Sequence, residues 1–467
     1  MAESKSIVKI VFFALVLDLL AFTIPLPLFP RLTAWYLQLD SSPDSLLSKL
    51  LWMSRKWRAT LLSFSSTAQL SDVGKKEWDV VLLGGAMGSL FSFCQCLISP
   101  WLGSLSDKYG RKKVLLATMM GNMLSAFIWI QSTSFASFLL SRLVGGLSEG
   151  NVQLSTAIIS DVTTPSTRSK SLALVGIAFS ICFTLGPSLG AYFASQPLPL
   201  PSSSSSSENQ LNIYALPATI SLVLLLVETL YLAAKLPETK GWKISQDTTE
   251  ENEKKDTKDS QIKLSAEERS RKLGFVGRLH GLFLLFFSGA EFTLTFLTYD
   301  LFQASNAQNG RLLSYIGILS ALLQARHVRP SLSRLGELRV ASFGILSCVF
   351  ALSLLSILPL SSIVSSSRIS TIVLYTSATC LSYTSATVVT GLTASAASLV
   401  DEQQRGKALG GFRSKGQLGR AVGPLLASSI YWVKGPTVAY ATLAGCLVVV
   451  YGLARTQVNS RKKGKTE

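Results

Sequence analysis

Twelve apolar runs of 15 to 30 residues recur along this chain, at 7–30, 79–101, 113–130, 135–160, 170–194, 213–236, 279–301, 311–325, 340–360, 370–399, 407–432 and 436–454. A helix rises about 1.5 Å per residue, so about 20 mainly apolar residues cross a ~30 Å hydrocarbon core. One such run could be a buried core helix. Twelve in 467 residues leave no room for the charged surfaces that soluble domains need, and only 15% of the residues are charged. The expected fold is an all-α membrane protein with twelve transmembrane helices, which satisfy their backbone groups without water. The first run follows Lys5 and Lys9 as a signal peptide would. It also contains Asp18 and lacks a small-residue cleavage site, so it reads as span 1.

The formal net charge is +17. Its placement argues against nucleic acid as a partner, because Lys and Arg gather in short loops between runs. The loops after spans 2, 4, 8 and 10 hold Lys108, Arg111, Lys112, Lys113, Arg329, Arg334, Arg405 and Lys407 among others; the short loops opposite hold Arg311, Arg368 and Lys434. The positive-inside rule then puts both termini in the cytosol. The long loop 31–78 is basic on the outer side, and long loops translocate largely regardless of charge. The chain divides into an N-terminal six-helix bundle (1–236), a charged cytosolic linker (237–276) with a short surface helix near "SAEERSRKL", a C-terminal six-helix bundle (277–455) and a basic cytosolic tail (456–467). The stretch 195–210, rich in Pro and Ser, reads as non-helical.

The two halves repeat. "TRSKSLALVGIAFSICFTLGPSLG" from Thr167 and "QRGKALGGFRSKGQLGRAVGPLLA" from Gln404 each place an arginine 19 residues before a Gly-Pro proline, Arg168 to Pro187 and Arg405 to Pro424. Repeated halves in a polytopic chain are how alternating-access transporters are built.

Enzyme chemistry has little to stand on. The six cysteines all lie within apolar runs, and the two histidines, His280 and His327, sit at run edges. No metal site, nucleophile motif or cofactor is expected. There is no G-x-x-x-x-G-K-[ST] segment, so work would draw on an ion gradient rather than a nucleotide.

The clearest motif is "GSLSDKYGRKKVL", 103–115, between spans 2 and 3. Asp107 there can accept from Arg111 or from N–H groups at a helix start, and such a clasp can hold one conformation and release in another. Read blandly, the segment is a positive-inside anchor. Gly103, Asp107, Gly110, Arg111 and Lys112 at this spacing resemble the hallmark loop of the major facilitator superfamily. A second copy, "RPSLSRLGELR", 329–339, has Ser333 where the aspartate belongs. Span 5 holds Gly186, Pro187 and Gly190, span 11 holds Gly423 and Pro424. These kink or pack helices, and "TLGPSLG" is similar to the antiporter motif of drug:proton exchangers, with Cys182 and Ala191 in place of the usual glycines. Asp18 with Pro27 and Pro30, and Arg142 with Gly146, extend the likeness to the tetracycline-resistance type, as do 287–302 and 416–428 in the second half. The resemblance implies two pseudo-symmetric bundles and export of drugs or organic anions.

Charged residues inside spans are functional candidates by default. They are Asp18, Arg142, Glu149, Glu291 and Arg420, with Asp18 expected to meet Arg142; a structural ion pair is the plainer alternative for those two. Glu228 reads as an edge residue of span 6. Arg420 lies about 20 Å along span 11 and costs at least ~2.5–3.5 kcal/mol there if left alone. Glu291 on span 7 is its expected partner, exchanging with an anionic substrate group or locking the bundle. The function expected is proton-coupled secondary transport of small organic molecules by alternating access. A facilitative organic-anion carrier and a non-transporting receptor are the alternatives. Expected partners are an organic substrate, protons and the bilayer, for a monomer in the plasma membrane or an endomembrane. There is no N-x-[ST] sequon, and Lys463 with Lys465 resembles a dilysine retrieval signal, though basic anchors commonly follow a last span.

Overall fold

The computed structural model describes residues 2–25, 44–63, 72–194, 214–242, 265–360 and 366–463, with a few positions between 28 and 42 and residue 363. The loop 195–210, most of the linker, Pro27, Pro30 and Lys465 lie outside the described residues. Among the described residues every regular element is helical.

Eight described helices are each long and apolar enough to cross a membrane. They supply spans 1 (Ala2–Thr23), 3 (Arg111–Ile130), 5 (Pro165–Ala194), 6 (Ala215–Lys235), 7 (Ala266–Phe302), 9 (Glu337–Ile357) and 10 (Ser367–Ser398), and the helical stretch Arg405–Lys463 supplies two. That last stretch turns at Gly435, whose φ of 82° is left-handed, ahead of Pro436, so 405–434 is span 11 and 436–463 is span 12. The remaining spans are 2 (Asp72–Tyr109), 4 and 8. Span 4 is broken: Phe135–Ser148 and Asn151–Val162 are separate helices joined at Glu149 and Gly150. Span 8 is longer than its apolar run of 311–325. Asn306–Leu323 continues through a π turn, Gln324–Val328, into Arg329–Leu335. Polar residues at both ends hid its length.

Two further expectations are corrected. The surface helix near 266 is no separate element: Ser265 caps a single helix that runs unbroken into span 7, with its hydroxyl on the Glu268 N–H and the Glu268 carboxylate on the Ser265 N–H. The first loop holds a helix, Leu46–Ser63, that buries Leu47 and Leu51 in a cluster with Tyr36, Trp129 and Phe138.

The bundles repeat in space as in sequence. Span 1 lies against span 5 so closely that a Cβ on Gly186 would strike the Thr23 side chain and one on Gly190 the Ile24 carbonyl. Span 7 lies against span 11 in the same way, with Gly419 facing the Gly281 carbonyl and Gly423 that of Leu285. Gly186 and Gly423 are repeat equivalents, so one packing solution serves both halves. An even number of spans brings both ends of the chain to one face, called basal below.

Candidate functional site

At the basal face the Asp107 carboxylate links the two bundles. Asp107, at the end of span 2, accepts from Arg111 Nη1 at 2.6 Å, from the Gly406 N–H at 2.8 Å and from the Lys407 N–H at 2.7 Å. Gly406 and Lys407 are in the first turn of span 11, whose N–H groups have no partner within the helix. Asp107 thus caps a helix of the other bundle and meets the positive end of its dipole. The approach requires glycine on both sides, because a Cβ on Gly103 would collide with the Gly406 carbonyl.

Arg111 is 2% exposed and spends its other contacts on this joint, with Nε on Asp161 Oδ2 at 2.9 Å and Nη1 on Ser106 Oγ at 2.7 Å. Asp161, at the end of span 4, also accepts from Arg405 Nη1 at 2.6 Å. Both carboxylate oxygens therefore hold an arginine, one from each bundle. Gly110 joins spans 2 and 3 with a φ of 104°, which glycine adopts without strain. Lys112 reaches the Ala233 carbonyl, while its own N–H and that of Arg111 are accepted by Glu238 at the start of the linker. The sequence had marked Asp107 and Arg111 but missed Asp161 and Arg405 as members. Arg405 was visible as the repeat equivalent of Arg168; Asp161 carried no spacing signal.

Deeper in, charges gather from both bundles. Asp18 is 3% exposed and accepts from Asn151 Nδ2 at 2.6 Å. Glu149, at the break in span 4, accepts from Asn122 Nδ2 at 3.2 Å. Glu228, expected at an edge, is 1% exposed, lies within the fields of Asp18 and Glu149, and its Oε2 has no hydrogen-bond partner. Its position seven residues beyond Ser221 on span 6 turns it to the interior. Arg142 does not pair with Asp18. Its guanidinium carbon lies 5.6 Å from the ring centres of both Trp129 and Phe138, a cation–π arrangement. Asp18, Asn122, Arg142 and Glu149 line one cavity of about 50 Å³, counted to the centres of water molecules. It has room for a few waters and is too small for a drug-sized solute.

From the second bundle come Arg413 and Arg420, seven residues apart on one face of span 11, about 10 Å along its axis. Arg413 lies within the run 407–432 read as span 11, but in "GFRSKG", between Lys407 and Lys415, it looks like one more basic residue of the span's end. It is half-buried, its Nε is buried without an acceptor, and its strongest charged neighbour is Glu149 of the first bundle, followed by Arg420 and Asp18. Arg420 interacts electrostatically with Glu291 and with His280, which stacks on Phe412 at 4.3 Å. Arg420 and Glu291 are near one another but form no ion pair within 4 Å. Glu291 is exposed and lies within the field of Arg420 on span 11. Gly186, Pro187, Gly190, Gly423 and Pro424 carry no chemistry and set the close helix packing described above. Among the described residues no His/Cys/Asp/Glu group could hold a metal.

Comparison with known proteins adds four findings. The family model described as Major Facilitator Superfamily matches residues 11–366. Major facilitator superfamily domain-containing protein 10 is 32% identical in Mus musculus and 34% identical in Homo sapiens, each alignment covering 96% of this chain and 92% of the relative. The tetracycline resistance protein, class B, of Escherichia coli is 30% identical over 108 residues, 23% of this chain and 27% of its own. Among solved structures, the crystal structure of the human organic anion transporter MFSD10 (TETRAN) superposes with a TM-score of 0.78 at 32% identity, covering 97% of this chain and 99% of that one.

Proposed function

The chain belongs to the major facilitator superfamily, and from that premise we propose that it is a proton-coupled secondary transporter of small organic anions. The bundles rock about a central site, and the basal clasp closes one side. Loop charge favours the cytosol for the basal face. The observation that carries the reading is the pair Arg413 and Arg420 on span 11, two permanent cations that form no ion pair within 4 Å among the described residues. Arginine cannot shed its proton, so each calls for an anion, and a substrate carboxylate or sulfonate fits a guanidinium in fork geometry. Asp18, Glu149 and Glu228 are the carboxylates available for protons. The human relative's description as an organic anion transporter supports the substrate class, and the partial likeness to the tetracycline resistance protein supports a drug among the substrates.

The test is flux in proteoliposomes. An aromatic sulfonate stays ionised and crosses lipid poorly, so protein-dependent uptake reports the carrier. Uptake that falls at least tenfold in both Arg413→Gln and Arg420→Gln, at matched reconstitution, is expected. Wild-type vesicles that move neither this probe nor aromatic carboxylates would overturn the reading.

A further inference from the structure

We infer that the helix Leu46–Ser63 is an interfacial anchor, which docks on the anionic phospholipid headgroups of the surrounding bilayer at the face opposite the basal clasp. Leu46, Met53 and Trp57 enter the acyl boundary there, and Lys49 and Lys56 meet the phosphates.

The helix is held at the depth where headgroups lie. Ser45 starts it, its hydroxyl accepting from the Ser48 N–H at 3.1 Å. Leu47 and Leu51 then bury in one cluster with Trp129, Phe135 and Phe138. Trp129 is the last residue but one of span 3, and Phe135 is the first of span 4. The cluster therefore lies within about a turn of the place where those spans leave the hydrocarbon. In the turn between the same two spans, the Ser132 carbonyl accepts from the Tyr36 hydroxyl at 3.0 Å. The helix also touches span 2 and the Arg405–Lys463 stretch, so its attachment bears on both bundles. Lys49, Arg55, Lys56 and Arg58 keep it out of the hydrocarbon core itself.

The side turned away from the bundle has two sectors. At about 100° per residue, Leu46, Met53 and Trp57 fall within about 40° of one another. Met53 is 59% exposed and Trp57 53%. Beside them Lys49 and Lys56 share one line, and Lys56 Nζ lies 5.0 Å over the ring of Trp52, which is 61% exposed. Large apolar side chains left open together mark a contact surface. Tryptophan beside lysine suits a boundary between water and lipid, where the indole rests among headgroups and the ammonium reaches a phosphate. Charge then selects the lipid. The helix carries those four basic residues and no acidic one. Asp44, just before it, lies 3.9 Å from Lys49, and with both side chains exposed that pair is weak. The cations are therefore left for the phosphates of anionic lipid, each contributing about fivefold in binding near the membrane surface.

The experiment is made on full-length protein in nanodiscs whose lipids carry bromine near the headgroup, with and without phosphatidylglycerol. Bromine quenches indole emission on contact, and the difference between wild type and Trp52→Phe/Trp57→Phe isolates two of the eight tryptophans. That difference signal is expected to be quenched at least about twofold more with phosphatidylglycerol present, and to be shielded from aqueous iodide. Lys49→Gln/Lys56→Gln should raise the phosphatidylglycerol fraction needed for half-quenching several-fold. Should the tryptophan variant fail to fold, the lysine variant decides, read on the native tryptophans. Quenching by iodide and not by lipid would put the helix in water and overturn the inference. Equal quenching with and without phosphatidylglycerol would overturn the assignment to anionic lipid. Protection from both quenchers would mean that protein covers this face, a second copy of the chain if the solubilised particle has twice the monomer mass, and would overturn it as well.

Discussion

The loops 103–113 and 329–339 occupy the same place in the two halves of the molecule and do unlike work. In the first, Asp107 takes two backbone N–H groups of span 11 and a buried arginine, and Asp161 ties Arg111 to Arg405. In the second, Ser333 turns back on the Pro330 carbonyl at 2.9 Å, and the joint to the first bundle is Glu337 Oε1 accepting from Ser169 Oγ at 2.8 Å. The repeat aligns Asp107 with Ser333, Gly110 with Gly336 and Arg111 with Glu337. Gly336 keeps the left-handed turn at φ 87°, so the backbone is conserved while the chemistry is gone. Ser169 aligns with Gly406, so the two joints address equivalent places on spans 5 and 11. The two bundles are thus joined by one strong contact and one weak one, the strong one where span 2 meets span 11.

The largest effect should come from Asp107→Asn. The amide keeps the shape but loses the charge that three donors share, and charge-assisted bonds contribute about 1.5–3 kcal/mol each against about half that for neutral ones. The closed state should lose about 2 kcal/mol, and transport at matched abundance should fall at least ~10-fold with the protein still folded and inserted. Flux at the wild-type level would remove the latch from the mechanism. Asp161→Asn comes next, because it weakens the link between Arg111 and Arg405 and leaves two buried cations short of charge. Transport should drop roughly 5- to 10-fold, and the melting temperature of the purified protein should fall as well. Unchanged melting would show that Asp107 alone closes the joint.

Much of this architecture was legible because membranes impose a simple rule on sequence: long apolar runs, charge in the loops, and a spacing such as that of Gly103, Asp107, Gly110 and Arg111. What escaped was whatever depends on a partner far along the chain. Asp161 lies 244 residues from Arg405, and nothing local marks it as shared. Arg413 falls inside the run read as span 11, but among Arg405, Lys407 and Lys415 nothing local marks it as facing the other bundle. Glu228 was placed by counting along its helix, which gives depth but not the direction the side chain faces. The expected contact of Asp18 with Arg142 failed for the same reason: similar depth put them around one cavity, and Trp129 and Phe138 took the cation.

A smaller effect is expected at the weak joint. Ser169→Ala removes one neutral donor from Glu337, a loss of about 0.5–1.5 kcal/mol at most in one conformation. Transport should change about 2- to 4-fold, and combining it with Asp107→Asn should be additive within about 0.5 kcal/mol, since the joints share no residue. Strong coupling between the two would mean that both bundle edges move as one element.

The smallest effect should come from Ser333→Asp, which restores the missing aspartate. Sequence alone would have it rebuild the latch. The structure gives two reasons against this. Asp107 works because span 11 begins at Arg405, so the N–H groups of Gly406 and Lys407 are free to be capped. Span 5 begins at Pro165, earlier by the repeat register, so the Ser169 N–H already lies within the helix and is held by a carbonyl one turn back. The companion residue has also changed sign, since Glu337 stands where Arg111 would bring a cation, and a new carboxylate beside it meets repulsion. Ser333→Asp should therefore leave transport within about 2-fold of wild type. Adding Glu337→Arg to remove the repulsion should still not create a latch, because the capped helix end is absent. A marked slowing of transport by the double variant, with coupling above about 1 kcal/mol in the double-mutant cycle, would show that the charge pair alone makes the latch and that the helix terminus does not matter.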